Sequence, residues 1–411
     1  MEKKSYESRI LHTAYTKEDA YHSLSMPVYN TAAYEFATAA EMEAAFCGRT
    51  PEHAYSRISN PTVQYLEKRV QEVTGAMSVT ALNSGMAAVS NALLNVAGVG
   101  LNIVTSPHLF GNTYSFMVNT LRGLGVEIRF TDLTKPEEVA RQMDDKTCAL
   151  FLEIITNPQM EVADLKALSA VCRKAGVPLI ADTTIIPFTA FSAKAHGVDI
   201  EVISSTKYIS GGATGLGGLI LDYGTFDWSR SPRLAEKAAI TGKQLAFTTR
   251  LKAEISRNLG AYMTPQAAYM ETLGLETLDL RYRREAGTTL EVAQRLQEIP
   301  QVVSVNYTGL IDNPYYALSC AQFGVTPGAM FTVELASREA CFDFLDRLKL
   351  IRRATNLFDN KSLALHPAST IFGTFTQEQR LLMHISQHTI RFSIGLESAD
   401  DLIADITQAL I

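Results

Sequence analysis

Four short stretches of this 411-residue chain carry residue types that could share one chemistry. Asn83-Ser84-Gly85-Met86-Ala87-Ala88 places small residues at the start of an expected helix. Free amides and the helix dipole there favour an anion, although the same residues also make an ordinary Ser-capped helix start. Asp182 follows the apolar run Val177-Pro178-Leu179-Ile180-Ala181. An acid at a buried strand end is costly unless a cation meets it, and a protonated pyridine nitrogen would serve. A cap for the following helix is the other use of such an acid. Ser204-Ser205-Thr206-Lys207 leaves another apolar strand. A lysine emerging there can have a lowered pKa and act as an imine-forming amine, or it can be solvated like most lysines. Ser204 and Thr206 could donate to a phosphate. Glu153 with Asn157-Pro158 completes the set, Asn157 serving either a cofactor ring or a turn.

Together the four stretches offer an anion cradle, a pyridinium partner, an aldehyde-reactive lysine and ring-contacting polar groups. Those are the needs of pyridoxal phosphate. Other motifs point nowhere. Gly211-Gly212-Ala213-Thr214-Gly215-Leu216-Gly217-Gly218 resembles a dinucleotide fingerprint only in its glycine count, since it precedes a strand. His384-Ile385-Ser386-Gln387-His388 has helical histidine spacing but Ile where a zinc protease needs Glu, so no metal is expected.

The elements that position these residues alternate. Strand-like runs at 78–82, 103–105, 126–130, 149–155, 177–181 and 200–204 are separated by helical patterns at 63–73, 86–96, 114–124, 136–143 and 165–174. This βαβα rhythm predicts an α/β fold with a mostly parallel central sheet, whose ligands lie beyond the carboxyl ends of the strands. After about residue 260 a long helix is expected over 272–296. Strands at 302–306, 329–335 and 389–393 follow, with helices at 337–348 and 402–410, as a smaller α+β domain. Residues 1–57 lack periodicity and read as an extended arm that packs on a neighbouring subunit. The expected divisions are 1–57, 58–262 and 263–411.

Composition bounds the partners. The chain is 46% apolar with net charge −6, which fits a globular protein and not a basic nucleic-acid binder. No apolar run approaches the ~20 residues of a membrane span, and no signal peptide follows the charged Met1–Glu7 start. Five scattered cysteines without a CxxC suggest buried thiols in a reducing cytoplasm.

Longer strings carry a resemblance. They include Pro27-Val28-Tyr29, Tyr55-Ser56-Arg57 with Asn60-Pro61-Thr62, Ser84 to Ala88, Thr206-Lys207-Tyr208 and Arg391-Phe392-Ser393-Ile394-Gly395-Leu396-Glu397. By these the chain resembles the Cys/Met-metabolism pyridoxal-phosphate enzymes along nearly its whole length. Within that group it is most similar to O-acetylhomoserine sulfhydrylases. The strings that say so are Gly217 to Asp222 with Gly224-Thr225-Phe226-Asp227-Trp228, Gly274-Leu275-Glu276-Thr277-Leu278, and Asn356 to Leu363 running to His366-Pro367-Ala368-Ser369-Thr370.

The resemblance implies a fold-type-I pyridoxal-phosphate transferase in which Lys207 holds the cofactor and shuttles protons. Asp182 would meet the pyridinium nitrogen. Ser84, Gly85, Met86, Ser204 and Thr206 would bind phosphate, and Asn157 the ring hydroxyl. Phe110 would stack on the ring, and Arg391, helped by Asn356, would grip the substrate carboxylate. Tyr55 and Arg57 would reach a neighbouring subunit's phosphate, making a homodimer the minimal active unit of a homotetramer. The implied reaction is replacement of the acyl group of an activated homoserine by a sulfur nucleophile, giving homocysteine or methionine. A methionine or cystathionine γ-lyase is the alternative, and a cofactor-binding regulatory protein without turnover is an alternative of another class. The family pattern has Tyr where Phe110 stands, Asn where Thr183 stands, His-Gly at Gly212-Ala213, Thr-Thr-His at Thr370-Ile371-Phe372 and, in methionine γ-lyases, Cys where Asn112 stands.

Overall fold

Alternating apolar strands and amphipathic helices assemble around one large sheet. The computed structural model describes residues 5–14 and 21–411. Its seven strands are β1 (Ser78–Leu82), β2 (Asn102–Thr105), β3 (Glu127–Phe130), β4 (Thr147–Glu153), β5 (Leu179–Asp182), β6 (Ile200–Ile203) and β7 (Gly218–Asp222), in the spatial order β1-β7-β6-β5-β4-β2-β3. The continuous apolar run of β4 is buried on both faces. Leu150 and Leu152 join one core cluster, while Ala149 and Phe151 join the other. β2 to β6 are parallel, whereas β7 runs antiparallel to both β1 and β6. The sheet is therefore parallel from β6 to its β3 edge and antiparallel only around β7. Gly218 lets β7 lie against β1, since a Cβ there would fall 2.1 Å from the Ser84 carbonyl oxygen.

A second, five-stranded sheet is built from β8 (Ser304–Asn306), β9 (Met330–Glu334), β10 (Arg352–Arg353), β11 (Leu363–Leu365) and β12 (Thr389–Ser393). Its order β10-β11-β12-β9-β8 places β12 at the centre, with Arg391 opposite Leu365 and Thr332.

Three expectations need correction. The segment 272–296 is not one helix: Pro265–Glu276 ends and Leu278–Leu296 begins at Thr277, whose φ of −112° and ψ of 7° break the helix. Within the first of these helices, Gly274 permits the close approach of the Ile209 carbonyl oxygen, which a Cβ there would meet at 1.9 Å. The expected helix 114–124 starts earlier, at Gly111, and its middle turn Phe116–Leu121 is a π-helix. Residues 1–57 are not one extended arm. Helix Tyr6–His12 docks on its own chain, with Ile10 buried and the Tyr6 hydroxyl donating to the Leu275 carbonyl at 2.8 Å. Residues 1–4 and 15–20 lie outside the described residues. All five cysteines are unpaired; Cys148, Cys172 and Cys341 are buried as expected, but Cys47 is exposed. Among the described residues no helix is long and apolar enough to cross a membrane.

Candidate active site

The carboxyl ends of β4, β5 and β6 meet residues of the second sheet's β9 and β12 around a cavity of about 270 Å³. Helix Gly85–Val96 points its amino end at the cavity. Ser84 caps it by accepting from the Ala87 amide at 3.1 Å. The amides of Gly85 and Met86 precede the first intrahelical bonds, so both are available to an anion. Gly85 is required there: a Cβ would sit 2.5 Å from Ser204 Cβ. Ser204 therefore packs directly on the helix start, and its own amide donates to Thr184 Oγ1 at 2.8 Å. Thr206 also lines the cavity. Its hydroxyl donates to the Gly217 carbonyl at 3.2 Å and accepts from the Gly217 amide at 3.0 Å, so it also ties the lysine loop to β7.

Lys207 follows, its Nζ donating to Asn356 Oδ1 at 2.8 Å. Burial, reinforced by the Arg391 charge and opposed by Asp182, pulls its pKa down to about 8. Within about a unit of neutral pH this amine is an accessible nucleophile and base. Asp182 lies at the last position of β5, accepting from the Thr184 amide at 2.9 Å. Strand register puts it opposite Glu153 at the end of β4. Burial raises both carboxyls. Glu153 is raised further by the Asp182 charge, while Thr184 and Lys207 favour ionised Asp182. Of the pair, Glu153 is raised the more strongly, and Asp182 has the partners that favour its charged form. Glu153 also accepts the Phe110 amide at 2.6 Å, which hangs the Phe110 loop from the sheet.

Arg391 enters from β12. It is 2% exposed, and burial draws its pKa down to about 9, so it is still a cation at neutral pH. Its partners are Asn157 Oδ1 at 3.2 Å and the Asn356 carbonyl oxygen at 3.3 Å, and its Nε has none. Among the described residues no carboxylate pairs with it. A buried cation so poorly matched is built to receive an anion.

The expected residues thus converge, with two exceptions. Tyr55 and Arg57 do not line this cavity. Arg57 lies over the Tyr55 ring, 5.5 Å from its centroid, and donates to the Arg257 carbonyl at 2.6 Å. Sequence reasoning missed Thr184, Met330, Leu357 and Phe358, which line the same space. Thr184 carries a weak signal, two residues past Asp182. The other three arrive through the second sheet and its connections, where no local pattern points at the cavity.

These residues fit pyridoxal phosphate. The amides of Gly85 and Met86 at the helix start line the cavity together with Ser204, Asp182 and an amine of lowered pKa, and the guanidinium of Arg391, its Nε without a partner, completes the lining. Comparison with known proteins agrees. The family model described as "Cys/Met metabolism PLP-dependent enzyme" matches residues 7–411. An O-acetyl-L-homoserine sulfhydrylase of Thermus thermophilus is 36% identical over 98% of this chain and 99% of its own. The crystal structure of a Campylobacter jejuni protein assigned as an O-acetylhomoserine (thiol)-lyase, carrying a pyridoxyl-lysine phosphate, superposes with a TM-score of 0.93 at 33% identity, covering 99% of both chains. An O-acetylhomoserine sulfhydrylase of Wolinella succinogenes, from its methionine biosynthetic pathway, is 45% identical over 86% of this chain and 99% of its own, with a TM-score of 0.77. With a family model spanning nearly its full length and a buried lysine, acid and arginine around one cavity, the chain belongs to the Cys/Met-metabolism pyridoxal-phosphate-dependent enzymes.

Proposed function

We propose that this enzyme replaces the acetoxy group of O-acetylhomoserine with a sulfur nucleophile, giving homocysteine or methionine. The observation that carries this reading is the unmatched Arg391 in the same cavity as Lys207, in a chain whose relatives are O-acetylhomoserine sulfhydrylases. Arg391 grips the substrate carboxylate with two parallel N–H donors, and Asn157 and Asn356 hold the guanidinium flat. Pyridoxal phosphate, held by Gly85, Met86, Ser204, Thr206 and Asp182, supplies an electron sink beside the substrate's amino-bearing carbon. Lys207 Nζ takes and returns protons at that carbon and its neighbour, and Asn356 Oδ1 orients it. Phe110 and Leu357 shield the reacting carbons from water. Acetate leaves with the electrons of the broken C–O bond, the sulfur forms the new C–S bond, and its proton passes to solvent. Phe110 has no acidic proton to give a leaving group, and acetate needs none.

The division into 58–262 and 263–411, with an N-terminal segment 1–57, belongs to the same reading, since each larger part carries its own sheet. So does a dimeric active unit. Tyr55 and Arg57 sit outside the cavity of their own chain, and a second copy would bring them to its phosphate. Mixing Arg57→Ala with Lys207→Ala subunits should restore activity by leaving one site intact; no recovery after verified exchange contradicts the shared site. The free cysteines support a reducing, cytoplasmic setting.

The reaction is tested by measuring acetate release from O-acetylhomoserine with and without sulfide. Homocysteine should form in step with acetate when sulfide is present. Ammonia and a keto acid appearing at the same rate regardless of sulfide would make the protein a γ-lyase. An absence of turnover in cofactor-loaded protein would make it a regulator.

A further inference from the structure

The sequence pairs His384 with His388, but the fold pairs His384 with two residues far away in the chain. His108 Nδ1 lies 2.6 Å from Glu161 Oε2, and the His108 and His384 rings stack at a tilt with centroids 4.6 Å apart. One donor atom from each of His108, Glu161 and His384 lies within 4.8 Å of both others. Two imidazoles and a carboxylate with donor atoms this close are a common ligand set for borderline divalent cations such as Zn²⁺ and Co²⁺. Ca²⁺ and Mg²⁺ prefer oxygen alone.

The surroundings resemble a prepared site. His108 is buried, and the amide of its residue donates to Ser106 Oγ at 3.0 Å. The Glu161 amide donates to Thr156 Oγ1 at 3.0 Å. His384 stands on a backbone with φ of 52°, a left-handed conformation that a non-glycine residue adopts only when its surroundings impose it. The adjacent Met383 carbonyl accepts from Gln159 Nε2 at 2.6 Å, which locks this turn to the Glu161 loop. His384 is exposed and Glu161 partly so, which leaves a path for an ion.

We propose that His108, Glu161 and His384 bind one borderline divalent transition cation, at a site separate from the catalytic cavity. The ion would staple three segments together. Two of them lead straight into the active site: His108 precedes Phe110 by two residues, and Asn157 lies four before Glu161 in the same loop. An occupied site would therefore steady the wall on which the ring-stacking residue stands.

Cobalt titration of the cofactor-loaded enzyme, stripped beforehand with a chelator, tests this. Visible d–d bands should saturate near one equivalent per chain, without the near-ultraviolet charge-transfer band that a thiolate such as Cys47 would add. His384→Ala and Glu161→Gln should each weaken binding at least about tenfold, the loss that even outer-sphere partners typically cause. His388→Ala should bind as the parent does, because its side chain is not among the three. The proposal falls if the parent shows no saturable binding, if His384→Ala and Glu161→Gln bind like the parent, or if His388→Ala weakens binding as much as His384→Ala.

Discussion

Arg69 and Arg391 are buried almost equally, at 1% and 2% exposure, on different elements and among different partners. Arg69 is saturated. Its guanidinium donates to the Ile10 carbonyl through Nε at 2.8 Å and again through Nη2, to the Thr272 carbonyl at 3.4 Å, and pairs with Glu276 at 3.0 Å. These bonds join helix Tyr6–His12, helix Pro61–Thr74 and helix Pro265–Glu276. Arg391 has two long contacts, one idle nitrogen and no carboxylate. The first arginine completes the fold; the second keeps unmet bonding capacity, which in the proposed function the substrate carboxylate takes up. Burial alone does not mark a functional residue; burial with unmet bonding capacity does.

Breaking each side of this comparison should have opposite effects. Arg391→Leu removes two charge-assisted contacts of about 1.5–3 kcal/mol each, so kcat/KM should fall on the order of 10²–10⁴-fold. The melting temperature should stay level or rise, because a poorly matched buried charge is gone. Arg391→Lys keeps the charge but not the fork, and should fall between the parent and the leucine variant. A stability loss in Arg391→Leu with normal kinetics would reverse the assignment. Arg69→Met strands the Ile10 and Thr272 carbonyls and should cost about 3 kcal/mol of folding stability in denaturant titration. Its kcat/KM per folded molecule should be unchanged.

The cavity's opposite wall can be sharpened in the same way. Phe110→Tyr adds an acid where the parent has only a flat ring. Cleavage of cystathionine or methionine, whose thiolates leave poorly, should rise by up to about 10²-fold relative to acetate release, the lower end of general-acid effects. Equal turnover of methionine and O-acetylhomoserine by the unmodified enzyme would contradict this.

Glu271 shows how a buried group outside the cavity escapes the cost that Arg391 bears. One oxygen accepts from Ser205 Oγ at 2.8 Å, the other has no partner, and burial raises the carboxyl to about 8. It stays protonated near neutral pH, an option closed to arginine. Since its folded pKa lies above its unfolded one, its stabilising contribution is complete below about 4.3 and is lost as pH rises through about 8. Glu271→Gln should flatten that decline, so that variant and parent diverge as pH rises from about 4.3 to about 8 and run parallel above it. Parallel stability–pH curves across that range would show that Glu271 ionises without penalty.

Which parts of this were legible in the chain follows from where the information sits. Asp182, Ser204 and Lys207 end apolar strands, and a change from apolar to polar at a strand end can be read one segment at a time. The helix start at Ser84–Met86 carries its own cap. Arg391 lies in mid-strand between apolar residues, so only resemblance exposed it. The Glu153–Asp182 pair depends on inter-strand register, which no local pattern encodes. The antiparallel course of β7 was illegible for the same reason, since it depends on pairing with β1, far away in sequence. The discounted histidine spacing at 384 and 388 carried no information about His384's surroundings, because its neighbours His108 and Glu161 lie 223 or more residues away.

The central claim is that Lys207, flanked by Asp182 and Arg391, is the residue that holds the cofactor. Borohydride reduction of the purified, cofactor-loaded enzyme, followed by proteolysis and mass mapping, tests it most directly. The visible absorbance should be lost and the pyridoxyl group should be found on the peptide containing Lys207. Its recovery on any other lysine, or full activity of a Lys207→Ala enzyme, would contradict the account.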